Sequence, residues 1–422
     1  MFSDRGMLNV RGIRNDAVQL VEKAEGLCRP FFSHIDEIEA VNQARVLDAF
    51  QQNAVSQRHF TPSTGYGYGD EGRDTLDRVF ADALGCGDAL VRPQIVSGTH
   101  ALSLCLFGLL GPSQTLLCAT GSPYDTLKSA IGLAGDGRQS LAGYGVKYRQ
   151  IELRDGRIDL GALSDALMSD NSVRLVLIQR SRGYAWREAL SLGDIEAACN
   201  AVRKVRDDVV IVVDNCYGEF VEADEPVKAG ADVIAGSLIK NPGGGLAPTG
   251  GYIAGKPEYV EAIAYRLTSP GLGREVGSYA ASYAPFYQGL FLAPHTVAQA
   301  LKGAVLFSQV FELMGYEVLP KPGDTRFDII QSIRFNDENR LIRFCQALQK
   351  AAPVDSTAVP EPWDMPGYQH RIIMAAGTFV QGASIELSAD APIKPPYIAY
   401  MQGALTYAHA RLAAMMAADT CL

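Results

Sequence analysis

Five β-branched residues in a row, Val209-Val-Ile-Val-Val213, run straight into Asp214 and Asn215. A run that is apolar on both faces describes a strand in the middle of a parallel sheet, covered by helices on each side. Parallel neighbours need crossover connections, so the surrounding chain must alternate strand and helix. The pattern predicts strands over residues 89–96, 115–119, 145–151, 173–178, 231–236 and 251–255. It predicts helices over 101–110 and 159–168, and one capped at Ser191. The fold class is therefore α/β, with a mostly parallel sheet flanked by helices.

Asp214 sits at the C-terminal end of its strand, the edge where open α/β sheets bind ligands. Twenty-six positions later Lys240 follows Gly236-Ser237-Leu238-Ile239 and runs into Asn241-Pro242-Gly243-Gly244-Gly245. Those residues end a strand and let the backbone turn sharply. A lone loop lysine is most often solvated. A lysine on a tight loop downstream of an acidic strand end is also the pair that pyridoxal phosphate needs. Its amine condenses with the cofactor aldehyde, while the carboxylate keeps the pyridine nitrogen protonated.

On these residues the chain resembles the fold-type I pyridoxal-phosphate enzymes. It is most similar to the branch named for aluminium resistance and described as methionine γ-lyase or cystathionine β-lyase-like. The runs that carry the resemblance are Ser97-Gly98-Thr99-His100-Ala101, Asp214-Asn215-Cys216-Tyr217-Gly218-Glu219-Phe220, the Lys240 loop, and Tyr400 through Tyr407. It extends from about Phe60 to the last helix. It implies a large cofactor-binding domain and a smaller C-terminal α+β domain.

The remaining candidates follow in chain order. Gly67-Tyr68-Gly69-Asp70-Glu71-Gly72 has the spacing of a dinucleotide loop, but no strand precedes it, so that reading is rejected. The resemblance implies that Tyr66 or Tyr68 reaches the cofactor phosphate of a neighbouring subunit, although a tyrosine stands where relatives carry an arginine. Ser97, Gly98 and Thr99 lie between a strand and a helix, where free N–H groups suit a phosphate. His100 either stacks on the cofactor ring or caps the helix. Tyr124, at a helix start, matches the aromatic that lies over the ring, and its hydroxyl could protonate a departing thiolate. Ser237 matches a hydroxyl that binds the phosphate. Arg180 and Arg182 end a strand beside Asp214, either to bind the cofactor's ring oxygen or a substrate carboxylate, or to form ion pairs. Arg274, Arg371 and Lys394 are further candidates for the carboxylate.

The rest of the chain sets the surroundings. Residues 1–58 read as helices forming an arm, 59–294 as the large domain and 295–422 as the small domain. In the small domain a long helix is expected from Val297, strands over 327–333, 371–374 and 383–387, and helices over 338–351 and 400–416. A net charge of −9 with no basic run argues against nucleic acid or an anionic membrane surface. No apolar run approaches the roughly 20 residues of a membrane span. Eight cysteines without a C-x-x-C pair, and a charged N-terminus from Asp4 on, fit reduced thiols and a cytoplasmic setting. The expected function is a pyridoxal-phosphate-dependent carbon–sulfur lyase acting on a sulfur-containing amino acid by β- or γ-elimination, as a homodimer or homotetramer. An aminotransferase and a non-catalytic cofactor-binding protein are the alternatives.

Overall fold

The computed structural model describes residues 12–135, 137–365 and 370–422. The first eleven residues of the expected N-terminal arm lie outside the described residues. Two compact units are present: one is Ala40–Pro294, and the other joins the chain up to Glu39 with His295–Leu422. The arm is one helix, α1 (Asn15–Gln52), not several; Pro30 lies within it.

The unit Ala40–Pro294 is built on seven strands: β1 (Asp88–Arg92), β2 (Thr115–Cys118), β3 (Lys147–Gln150), β4 (Val173–Gln179), β5 (Val210–Asp214), β6 (Val233–Ser237) and β7 (Gly251–Gly255). Their order is β1-β7-β6-β5-β4-β2-β3. The run from β3 to β6 is parallel, and β7 lies antiparallel between β6 and β1. The β-branched run is thus the central strand, buried at every position. Its register sets Gln179 of β4 and Ala235 of β6 on either side of Asp214.

The helices of this unit are α2 (Glu71–Ala83), α3 (Gly98–Leu109), α4 (Asp125–Ile131), α5 (Leu160–Ser169), α6 (Leu192–Val205) and α7 (Pro257–Ala264). Their starts are written in the sequence. Asp70, Ser97 and Asp159 each accept a first-turn N–H, and Ser191 with Asp194 forms a capping box. Helix α3 packs on β5, β6, β7 and α7. Leu102, Cys105 and Leu106 meet Val212, Ala235, Ile253, Val260 and Ile263 there. This packing aims the α3 N-terminus at the carboxyl ends of the strands. Ile253 is fully buried. Ile253→Val is expected to cost about 0.5–1.5 kcal/mol, read as a lower denaturant midpoint at unchanged slope.

Helix α8 (Ala284–Leu313) begins thirteen residues before the expected Val297. Pro285 is tolerated in its first turn, where the N–H would go unused anyway. Among the described residues it is long and apolar enough to cross a membrane, which the sequence reading did not anticipate. Yet 72% of its most apolar window is buried inside the protein, as in a core helix.

The second unit carries β8 (Glu317–Leu319), β9 (Ile330–Arg334), β10 (Ile372–Ala375), β11 (Ser388–Pro392) and β12 (Ile398–Gln402), antiparallel in the order β10-β11-β12-β9-β8. Helix α9 (Glu338–Ala351) covers β10, β11 and β12 and packs against α10 (Tyr407–Cys421). Two expectations are corrected here. Residues 383–387 form turns, because the Glu386 carboxylate accepts the N–H groups of Phe379 and Val380 and folds the segment back; the strand starts at Ser388. Tyr400 belongs to β12, not to a helix. Gly403, at φ +74°, ends that strand, and Thr406 caps α10.

Candidate active site

The site is assembled where β5 and β6 end. Asp214, the last residue of β5, is buried, and its Oδ1 accepts the Cys216 N–H at 3.2 Å. Strand β6 ends at Ser237. Lys240 follows on a turn closed by its N–H to the Ser237 carbonyl at 3.3 Å and by a 3-10 turn, Asn241–Gly243. Gly243 is required there: a Cβ would lie 1.7 Å from the Leu238 carbonyl oxygen. The Lys240 ammonium sits 4.0 Å from the centroid of the Tyr217 ring. Tyr217 itself adopts φ +74°, a strained geometry of the kind that clusters at functional sites.

Asp214 and Lys240 act on one another electrostatically. Burial pushes the Asp214 carboxyl above its ordinary range, and the lysine charge pulls it back. Burial disfavours the Lys240 ammonium, but the charges that Cys216, Tyr217, Asp214 and Glu219 carry when ionised favour it and raise the amine above its usual range. The Cys216 thiol is raised by burial and stays protonated at neutral pH.

The start of α3 closes the opposite wall. A Cβ on Gly98 would lie 3.2 Å from Cys216 Sγ and 3.5 Å from Ser237 Cβ. A side chain there would crowd the thiol, and the bare backbone leaves that wall open. The Gly98 and Thr99 N–H groups have no acceptor within the helix. Ser97 Oγ is taken up by capping, accepting the His100 N–H at 3.1 Å. Burial lowers the His100 imidazole below its ordinary value, and its Nδ1 accepts the Val96 N–H at 3.2 Å, so a capping role is observed. Thr99 Oγ1 and Thr126 Oγ1 share a hydrogen bond of 2.6 Å. That bond fixes the start of α4, where Tyr124 stands with its ring 6.2 Å from that of Tyr184. A buried carboxylate, a lysine, and a hydroxyl beside open N–H groups at a helix start fit a cofactor with a basic ring nitrogen, an aldehyde and a phosphate.

Other candidates fall elsewhere. Arg180 is fully buried. It donates to Asn215 Oδ1 (2.8 Å), the Gly218 carbonyl (2.9 Å) and Glu222 Oε2 (2.6 Å), which shapes the turn behind Asp214. Arg182 is buried as well. Arg274 forks onto the Asp88 carboxylate and reaches Glu261. Arg371 is half-exposed near Glu338, and Lys394 is exposed in the turn between β11 and β12, both in the second unit. Tyr66 and Tyr68 stand 75% and 68% exposed, and the Gly277 N–H and the Arg73 guanidinium hold their loop by its carbonyls.

Sequence reasoning named Cys216, Tyr217 and Glu219 only as part of the run after Asp214, with no role, and passed over Glu225 and Tyr252. The available signal was an acid, Glu219, enclosed in the apolar stretch after Asp214.

Comparison with known proteins identifies the lineage. The methionine gamma-lyase family matches residues 17–422. The chain belongs to that family. A carbon–sulfur lyase involved in aluminium resistance from Clostridium novyi NT superposes with a TM-score of 0.96 at 48% identity, each chain covered in full. The uncharacterised protein YnbB of Bacillus subtilis (strain 168) is 50% identical over 388 residues, 92% of each chain. A pyridoxal-5'-phosphate-dependent protein from Escherichia coli, YhfS, shares the fold alone, with a TM-score of 0.62 at 16% identity over 90% of this chain and 95% of its own. The family and these neighbours bear out the expected fold-type I architecture and the class of carbon–sulfur lyases.

Proposed function

We propose that the protein is a pyridoxal-phosphate-dependent lyase that breaks the carbon–sulfur bond of a sulfur-containing amino acid. The observation that carries this reading is the electrostatic pairing of buried Asp214 with Lys240 at the carboxyl ends of β5 and β6. When bound, the cofactor supplies an electron sink conjugated to the substrate's Cα.

The protein's own groups do the rest. Lys240 would be the residue that holds the cofactor's aldehyde carbon, and its amine, once free, would take the proton from the substrate's Cα. Asp214 keeps the proton on the ring nitrogen. Gly98 and Thr99 would present N–H groups to the phosphate, Ser237 its hydroxyl, and Ser97 the O–H that its cap bond from His100 N–H leaves free to donate. Tyr124 would cover the ring and deliver a proton to the departing sulfur. Loss of the thiol from Cβ, followed by hydrolysis, yields pyruvate and ammonia; loss from Cγ yields 2-oxobutanoate and ammonia. The exposed Tyr66 and Tyr68 are assigned to the site of a second copy of the chain, which makes the enzyme a homo-oligomer. Arg180 is assigned to the turn behind Asp214, and Arg182 remains a candidate within this unit for the substrate carboxylate.

Purified protein supplied with pyridoxal phosphate is tested against cysteine, cystathionine, methionine and homocysteine, with ammonia and the 2-oxo acid measured. Release of both from a single amino acid supports the reading. Transfer of the amino group to an added 2-oxo acid without ammonia would make it an aminotransferase. Ser237→Ala is expected to weaken cofactor retention by about 1.5 kcal/mol, near tenfold in Kd, measured by equilibrium dialysis.

A further inference from the structure

Behind Lys240 lies a second pair of acids that the proposed chemistry does not use. Glu219 and Glu225 are both buried, five and eleven residues after Asp214. Their surroundings differ. Glu225 gathers N–H donors: Asn215 Nδ2 and the Phe220 N–H, each at 2.8 Å, with Arg180 Nη1 at 3.9 Å. Glu219 Oε1 accepts from the Tyr252 hydroxyl at 2.9 Å, its own backbone N–H also favours the charged form, and its Oε2 has no partner among the described residues. The missing side chain of Gly236 makes room for it, since a Cβ there would lie 2.6 Å from Glu219 Oε1. The Glu219 carbonyl in turn accepts from Asn241 Nδ2 at 3.0 Å, one residue past Lys240. The charged and titratable groups facing Glu219 are Glu225, Tyr252, Lys240 and Cys216.

We infer that Glu219 is a positioning residue, kept as an uncharged carboxylic acid at neutral pH so that Asp214 is the one full negative charge facing the Lys240 amine. A buried carboxylate with one orphaned oxygen is costly, and the protonated acid is less so. Two acids placed in contrasting environments divide into a charged and a neutral member. Burial pushes Glu219 up to about 8, which agrees with the geometry. A charged Glu219 would pin the proton on Lys240; an uncharged one lets the amine release it and attack an aldehyde.

The inference rests on the proposed role of Lys240, so two readouts are needed. The first uses cofactor-free protein. Between Glu219's ordinary value of 4.5 and about 8, the unfolded chain has lost a proton that the folded chain keeps, so this group makes stability fall as pH rises. The denaturation midpoint of Glu219→Gln, compared with the native protein, is therefore expected to gain steadily from about pH 5 to about pH 8. A constant gap overturns the inference. The second follows capture of pyridoxal phosphate by its visible absorbance. The two proteins are expected to capture at equal rates near pH 7. Near pH 9, Glu219→Gln is expected to be faster by about tenfold, the effect of one unit on the lysine. Tyr252→Phe, which removes the side-chain donor to ionised Glu219 found among the described residues, is expected to behave like Glu219→Gln near pH 9 and serves if the latter does not fold. Coincident rates at both pH values, or a slower Glu219→Gln near pH 7, overturn the inference. If none of the proteins captures the cofactor, the role of Lys240 fails, while the stability comparison still decides the state of Glu219.

Discussion

Replacing Lys240 with alanine is expected to abolish covalent retention of pyridoxal phosphate and to lower elimination by about 10²–10⁴-fold. The residue carries two tasks that an alanine cannot share: it grips the aldehyde carbon, and it moves the proton at Cα. No neighbour can take over. Cys216 is held protonated by burial, and the Tyr217 ring presents its face, not its hydroxyl, to the amine. Lys240→Arg separates charge from chemistry, because a guanidinium keeps the cation but does not condense with an aldehyde. It should match the alanine variant in the absence of a borohydride-trapped adduct, while holding the Asp214 charge as the native lysine does. Mass spectrometry of the reduced protein locates the adduct. A trapped adduct in Lys240→Ala, or one found on another lysine of the native protein, would remove Lys240 from its role.

What could be read in advance followed from local rules. The β-branched run announced the central strand, and the position of Asp214 at its end needed only the polarity of a parallel sheet. The Lys240 turn was marked by glycines that no other residue could replace, as the 1.7 Å approach at Gly243 shows. Failures came where a distant partner overrides a local pattern. Residues 383–387 alternate like a strand, yet Glu386 spends its carboxylate on two N–H groups of its own loop. Tyr400 looks like the start of a helix because the helical pattern of α10 lies just beyond it, but its register is set by pairing with Ser332 and Asp390. Arg180 showed the same limit within the site. Its place at a strand end was visible, but Asn215, Gly218 and Glu222 claim its guanidinium, and their convergence depends on a left-handed turn at Tyr217 that nothing in the sequence marks.

Asp214→Asn should move stability and turnover in opposite directions. The amide has the shape of the acid and can keep the bond from the Cys216 N–H, so the fold has no reason to change. Burial raises Asp214 above its unfolded value, so from that value upward the unfolded chain releases a proton more readily than the folded chain does. Stability contributed by this group accordingly falls as pH rises through that window. The amide does not ionise, and cofactor-free Asp214→Asn is expected to be at least as stable as the native protein near neutrality, by thermal denaturation. Catalysis needs the charge that folding resists. A neutral amide cannot hold the ring nitrogen's proton, and removing one preorganised electrostatic partner of this kind costs about 10²–10³ in kcat. The loss should fall on kcat, with KM little changed, because the charge acts on the reacting state and not on the substrate's carboxylate. A variant that is both less stable and fully active would mean that Asp214 holds the turn after β5 together and has no part in the chemistry.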